Sequence, residues 1–243
     1  MPQRGVKGRK KASPGPLTDA GHRIFRHMIH ILADRPGVHN VYIRQLRDAE
    51  LQKDRMRFRM NLKRLAVLMG HQISATLEFA TQEVITPLGT ATGAALAQQP
   101  VLATILRAGL PMHDGMLEVF DEADNAFVSA YRRYHQGGDF EIEVEYLSSP
   151  DLTGRTVILT DPMLATGASM GCVWEALLKR GEPEQLHVVS AIASREGVAN
   201  AKEMLPANTR YWIGAVDDET TARGYIVPGL GDAGDLAFGS KKS

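Results

Sequence analysis

The run Val157-Ile158-Leu159-Thr160-Asp161-Pro162-Met163-Leu164-Ala165-Thr166-Gly167-Ala168-Ser169 restricts the fold of this chain more than any other stretch. A short β-branched and aliphatic segment reads as a buried strand. It passes through a loop with one carboxylate, one proline and small residues into a helix whose apolar face carries Val173, Ala176 and Leu177. Residues 165–169 therefore sit at a helix N-terminus, where unpaired backbone N–H groups and the positive end of the dipole favour a phosphate. Thr166 and Ser169 add hydroxyl donors, and Gly167 lets the backbone close around an anion. Asp161 lies just before the loop, placed for ribose hydroxyls or a hydrated magnesium ion. Taken alone, a Thr-Gly-x-Ser turn is equally an ordinary strand–helix connection.

The same alternation extends over the chain. Strands are expected at 101–106, 126–131, 156–160, 187–193 and 211–216, and helices at 112–120, 170–180 and 198–204. This predicts an α/β fold: a mostly parallel sheet with right-handed crossovers, flanked by helices, with ligands at the carboxyl ends of its strands. Phe140, Ile142, Val144 and Tyr146 alternate with Glu141, Glu143 and Glu145, and Gly137-Gly138 precede them. That pattern predicts a protruding β-hairpin arm at about 128–147, whose apolar face needs the core or a second subunit. Residues 44–68 have a helical apolar pattern that continues through Ile73 and Leu77, and 90–98 read as a small-residue loop or helix end.

Charge and cysteine content exclude several classes. With 28 basic and 28 acidic residues the chain is formally neutral, so no global attraction to nucleic acid or a membrane surface is expected. The lone Cys172 forms no internal disulfide and reads as a packed thiol. No apolar run approaches a membrane span, and the amino end has no apolar signal region, so a cytoplasmic protein is expected. Arg4, Lys7, Arg9, Lys10 and Lys11, followed by Pro14-Gly15-Pro16, read as a flexible basic extension over 1–36, with the folded domain at 37–243. A tether for nucleic acid or an acidic partner is the alternative reading of that extension.

Asp161 to Ser169 closely resembles the phosphoribosyl-diphosphate loop of uracil phosphoribosyltransferases, with Ala168 where glycine is usual. The purine and orotate branches place two adjacent acids here, whereas this chain has one acid followed by Pro162. Ile105-Leu106-Arg107-Ala108-Gly109-Leu110 resembles the family's diphosphate-binding segment, and Tyr131-Arg132 a second one. Gly224-Tyr225-Ile226-Val227-Pro228-Gly229-Leu230-Gly231-Asp232-Ala233-Gly234-Asp235 resembles the uracil-binding loop almost without change. Met56-Arg57-Phe58-Arg59 is similar to a family Phe-Arg signature, while Gln72 replaces a frequent glutamate. The four motifs occur in the family's order from about Val38 onward.

The resemblance implies a type I phosphoribosyltransferase fold with a hairpin arm and an amino-terminal helical extension. It implies transfer of the phosphoribosyl group from 5-phosphoribosyl 1-diphosphate to uracil, giving UMP and diphosphate. Arg107, Asp161 and Asp232 would be catalytic. Phosphoribosyl diphosphate would meet Arg107, Arg132, Asp161, Pro162, Met163, Leu164, Ala165, Thr166, Gly167, Ala168, Ser169 and Asp232. Uracil would meet Ile226, Gly231, Asp232 and Ala233, read largely by main-chain groups. Mg²⁺ would be bound mainly through the substrate rather than held directly by protein ligands. A GTP effector and a homodimer or homotetramer are further implications. No general base stands out, since His113, His135 and His187 read as structural or exposed. Two rivals stay open: a non-catalytic regulator sensing phosphoribosyl diphosphate or a nucleotide, and an enzyme for a different base. If Ala168 needs positive φ, its methyl strains the loop, and Ala168→Gly is expected to lower the KM for phosphoribosyl diphosphate.

Overall fold

The computed structural model describes residues 28–134 and 140–240, without the side chains of 131–143. Strand β1 (Ile29–Ile31) is followed by α1 (Val38–Arg47) and α2 (Arg55–Ser74). Two aspartates divide what reads in sequence as one long helical stretch. Asp48 accepts from the amides of Glu50 (3.0 Å) and Leu51 (3.1 Å) just after α1, and Asp54 caps α2 by accepting from Arg57 N–H (3.0 Å). Phe58, Leu62, Leu65, Met69 and Ile73, at helical spacing, are the buried face of α2.

A hairpin of β2 (Phe79–Thr86) and β3 (Gly89–Leu96) follows. Here the helical pattern stops short of Leu77, and 90–98 is mainly strand rather than loop. The β-branched Val84, Ile85 and Thr86 and the Pro87-Leu88-Gly89 turn favour strand pairing, and the small residues of β3 conceal its alternation. The hairpin pairs only with itself among the described residues, leaving Phe79, Val84, Ile85 and Leu88 exposed.

The core then runs β4 (Val101–Leu106), α3 (Leu110–Leu117), β5 (Asp124–Tyr134), β6 (Phe140–Ser148), β7 (Thr156–Thr160), β8 (Met163–Leu164), α4 (Ala168–Leu178), β9 (Gln185–Ser194), α5 (Arg195–Met204), β10 (Arg210–Asp217), β11 (Glu219–Thr220), β12 (Ile226–Val227) and α6 (Ala233–Phe238). The sheet order is β1-β10-β9-β7-β4-β5-β6, with β8 beside β9. Every neighbour is parallel except β5 and β6. The expected arm is therefore real, but its first strand begins inside the sheet, pairing with β4 before it pairs along β6. Its Gly137-Gly138 turn lies outside the described residues.

Strand residues alternate between two cores. Leu102, Ile158, Val189 and Trp212 face α1, α2, α3 and α6, while Val101, Leu159, Val188 and Tyr211 face α4 and α5. Ile29–Ile31 corrects the expectation of an extension reaching residue 36. It pairs with Tyr211–Ile213 of β10, because the alternation Ile-His-Ile extends a sheet edge and stacks His30 on Trp212 with ring centroids 3.9 Å apart. The basic run Arg4–Lys11 lies outside the described residues. Among the described residues no helix is long and apolar enough to cross a membrane.

Candidate active site

Parallel strands place their carboxyl ends on one edge, and three of the four motifs meet there. Arg107 follows β4, Asp161 follows the adjacent β7, and the 224–235 loop folds back against Arg107 and Ala108. Gly109 lets the β4 loop turn in: a Cβ there would lie 2.2 Å from Thr104 Oγ1 and 2.9 Å from Thr160 O. The Arg107 guanidinium rests loosely. Its Nη2 reaches Asp235 Oδ1 at 3.4 Å and Gly239 O at 3.3 Å, and its buried Nε has no partner among the described residues. An arginine with such long contacts and a buried donor left over is available to an oxyanion.

The 165–169 loop is built from below. Gly167 caps α4 with φ +80°, and the first helical bond is Gly171 N–H to Gly167 O (3.0 Å), so the amides of 168–170 precede it. Ser194 Oγ donates to Ala165 O (2.5 Å) and accepts from Gly197 N–H (2.8 Å), and Asn200 Nδ2 donates to Thr166 O (3.0 Å). Gly197 presses directly on the loop: a Cβ there would stand 2.3 Å from Leu164 O and 2.4 Å from Ala165 O. Gly197→Ala is therefore expected to displace the loop. It should cost about 1–3 kcal/mol of stability as overpacking and raise the KM for phosphoribosyl diphosphate about tenfold, read by thermal unfolding and initial rates.

Ala168 does not occupy a strained position. No residue other than glycine has positive φ among the described residues, and Ala168 opens the first turn of α4. The left-handed residue is Gly167, one position earlier. The condition for a lower KM in Ala168→Gly is thus not met, because there is no backbone strain to relieve.

Asp161 is half-buried, with its N–H on Val189 O (3.1 Å) and its Oδ1 accepting from Met163 N–H (3.4 Å). Burial pushes its carboxyl up to about 7, and the Met163 amide pulls only weakly the other way. Asp232 caps the short α6, its Oδ1 accepting from Asp235 N–H (2.9 Å). Ile226 and Ala233 are buried, and Gly231 is exposed. Arg132 lies in β5 beyond the end of β4, and its side chain is outside the described residues.

A family model described as uracil phosphoribosyltransferase matches residues 34–240. The uracil phosphoribosyltransferase of Porphyromonas gingivalis is 46% identical over 214 residues, covering 88% of this chain and 99% of that protein. This chain belongs to the uracil phosphoribosyltransferase family. The uracil phosphoribosyltransferase of Pyrococcus furiosus is 36% identical over 214 residues, 87% of this chain and 90% of that protein. The solved structure of the AQ2163 protein from Aquifex aeolicus superposes with a TM-score of 0.77 at 29% identity, covering 87% of this chain and 98% of that one.

For a member of the uracil phosphoribosyltransferase family, the histidines and the supporting shell complete the picture. His187 accepts from Trp212 Nε1–H (3.0 Å), and burial, then Arg210 and His30, push it down to about 3, so it stays neutral at the amino-terminal half of β9. His113 is buried in α3 against Phe127, and burial lowers its pKa too. His135 lies outside the described residues. Sequence reasoning missed Ser194, Gly197 and Asn200 under the 165–169 loop, and Arg47, Gln52 and Asp217 behind the 224–235 loop. No spacing signals them, because each is remote in sequence from the segment it supports.

Proposed function

We propose that this chain transfers the phosphoribosyl group of 5-phosphoribosyl 1-diphosphate to uracil, giving UMP and diphosphate. The observation that carries this reading is the 224–235 loop lying against Arg107 on the same strand edge as the 165–169 loop: Arg107 Nη2 meets Asp235, and a Cβ on Gly234 would lie 3.8 Å from that nitrogen. A base platform thus adjoins a cationic side chain beside a helix N-terminus. The amides of 168–170, with the Thr166 and Ser169 hydroxyls, hold the 5′-phosphate. Arg107 and Arg132 take the charge that develops on the departing diphosphate. Asp161 faces the ribose, and main-chain groups of Ile226, Gly231 and Ala233 read the pyrimidine, with Asp232 beside them. Uracil has two carbonyl acceptors and two N–H donors, so a rigid backbone matched to it leaves groups unpaired against cytosine. Displacement at the anomeric carbon through an oxocarbenium-like state asks the protein mainly for positioning and charge stabilisation.

Magnesium enters the proposal with the substrate. Among the described residues no group of three or more His, Cys, Asp or Glu side chains gathers around one point. A hydrated cation carried by the diphosphate would favour the ionised form of Asp161 that burial alone disfavours. Bound there, Mg²⁺ supplies neutralising charge to the leaving group.

We also propose a homo-oligomer, a dimer or tetramer, formed through the β2–β3 hairpin. Ile85 is 90% exposed and Leu88 fully so on an arm that packs little against its own core, which supports burial against a second copy. A GTP effector and a cytoplasmic location are proposed on family resemblance alone. The test is diphosphate release with phosphoribosyl diphosphate and Mg²⁺, comparing uracil with cytosine, hypoxanthine and orotate. Turnover with uracil alone is expected. Tight binding of phosphoribosyl diphosphate with no turnover on any base would instead make the chain a sensor. Repeating the assay with GTP decides the effector.

A further inference from the structure

We infer that Arg47 and Asp217 are positioning residues for the pyrimidine-reading loop, gripping Gly229 by both its main-chain groups. The inference rests on the uracil reading above and deepens it. Asp217 ends β10 at the site edge and is only 8% exposed. Arg47, on the last turn of α1, meets it bidentately, Nη2 donating to Oδ1 (2.6 Å) and Nη1 to Oδ2 (2.7 Å). A planar guanidinium fork fixes orientation as well as charge. The same two side chains continue into the loop: Gly229 N–H donates to Asp217 Oδ2 (2.9 Å), and Arg47 Nη1 donates to Gly229 O (3.1 Å). One residue on, the Gln52 amide nitrogen reaches Leu230 O (2.9 Å) and Leu46 O (3.0 Å) in the orientation that satisfies both its ends.

The rest of the loop's polar support lies at its ends. Thr221 and Tyr225 close the β11–β12 turn, Thr221 N–H donating to Tyr225 O (2.8 Å). Asp232 caps α6 at the other end (2.9 Å). Between these ends, β11 pairs with Ile226 and Val227, and Arg47, Asp217 and Gln52 hold the main chain of Gly229 and Leu230. Main-chain readout depends on where peptide groups point, so misplacing the loop by a fraction of an ångström unpairs the base. Arg47 and Asp217 thereby transmit the rigidity of β10 and α1 to the base platform without touching the base.

The experiment compares Arg47→Ala, Arg47→Lys and Asp217→Asn with the native enzyme. Arg47→Ala is expected to raise the KM for uracil about tenfold or more, the effect of a lost charge-assisted bond. The KM for phosphoribosyl diphosphate should change less than about threefold, because the 165–169 loop stands on other supports. Arg47→Lys keeps the charge without the fork and should fall between, as should Asp217→Asn. The advantage of uracil over cytosine should narrow in the same order. Amide exchange across 224–235 should speed up in each variant, with 157–169 unchanged. Equal rises in both KM values, an unchanged uracil KM, or unchanged exchange in 224–235 would overturn the inference. If Arg47→Ala fails to fold, the two conservative variants carry the same test. A native enzyme inactive on uracil would overturn the functional reading, while exchange in 224–235 would still decide the clamp.

Discussion

Arg107→Ala is expected to lower kcat/KM for phosphoribosyl diphosphate by about 10²–10³-fold, the scale of loss when one preorganised hydrogen-bond donor is removed from a transition state. The argument begins with where the side chain sits. Arg107 leaves the carboxyl end of β4, and Gly109 folds the following loop against Thr104 and Thr160, leaving the guanidinium at the rim. Its contacts to Asp235 (3.4 Å) and Gly239 (3.3 Å) are long, and that ion pair is more than a third exposed on both sides. Such a pair is worth at most about 1 kcal/mol to the fold. Nearly all of the loss should therefore appear in catalysis, with the melting temperature little changed. Arg107→Lys retains the charge without the two-pronged geometry and should recover part of the rate. Initial rates of diphosphate release at subsaturating substrate give the number. A fall of less than about threefold would mean that the departing diphosphate is stabilised elsewhere.

Asp161→Asn should separate stability from activity. Burial holds this carboxyl near 7, well above the ordinary 3.8. A carboxyl raised on folding contributes stability that is fully present below the unfolded value and is lost as pH rises through the folded value. Between about pH 4 and pH 7 the unfolded chain ionises this group while the folded chain keeps its proton. Asparagine removes the ionisation and keeps an oxygen for the Met163 amide, which now lies 3.4 Å from Oδ1. The variant should therefore match the native protein near pH 4. It should exceed it progressively to about 2–4 kcal/mol above pH 7. Denaturant unfolding at pH 5 and pH 8 reads the difference, and a gain that is equal at both would remove the ionisation argument. Activity should fall in the same variant, since a neutral amide neither faces a hydrated cation nor accepts from ribose hydroxyls as a carboxylate does. A more stable and less active protein is the expected signature of a charge kept for function.

The strand expectations at 101–106, 156–160, 187–193 and 211–216 correspond closely to β4, β7, β9 and β10. These runs are apolar on both faces, and such strands have few other places to go than the middle of a parallel sheet. The amino-terminal half was less legible. Asp48 and Asp54 act through local side-chain bonds that interrupt a continuous apolar period, so two helices looked like one. The β2–β3 hairpin was hidden for a different reason: alternation reports a half-buried face, and among the described residues this hairpin has almost none.

For the candidate site, the segments proposed to carry chemistry were legible from the chain alone, because each is local. Residues 161–169, Leu106-Arg107-Ala108-Gly109 and the 224–235 string are each contiguous, so their family resemblance is legible without the fold. What holds them in place emerges only from the folded arrangement. Arg47 and Asp217 stand 170 positions apart, and Gly197 bears on Leu164 and Ala165 from another helix. The fold also shows that Gly167, not Ala168, takes the left-handed turn, and that burial raises the Asp161 carboxyl to about 7. Backbone patterning is written in neighbouring residues, whereas burial, electrostatic environment and the clamping of one loop by another exist only once the sheet has brought distant strands to a common edge.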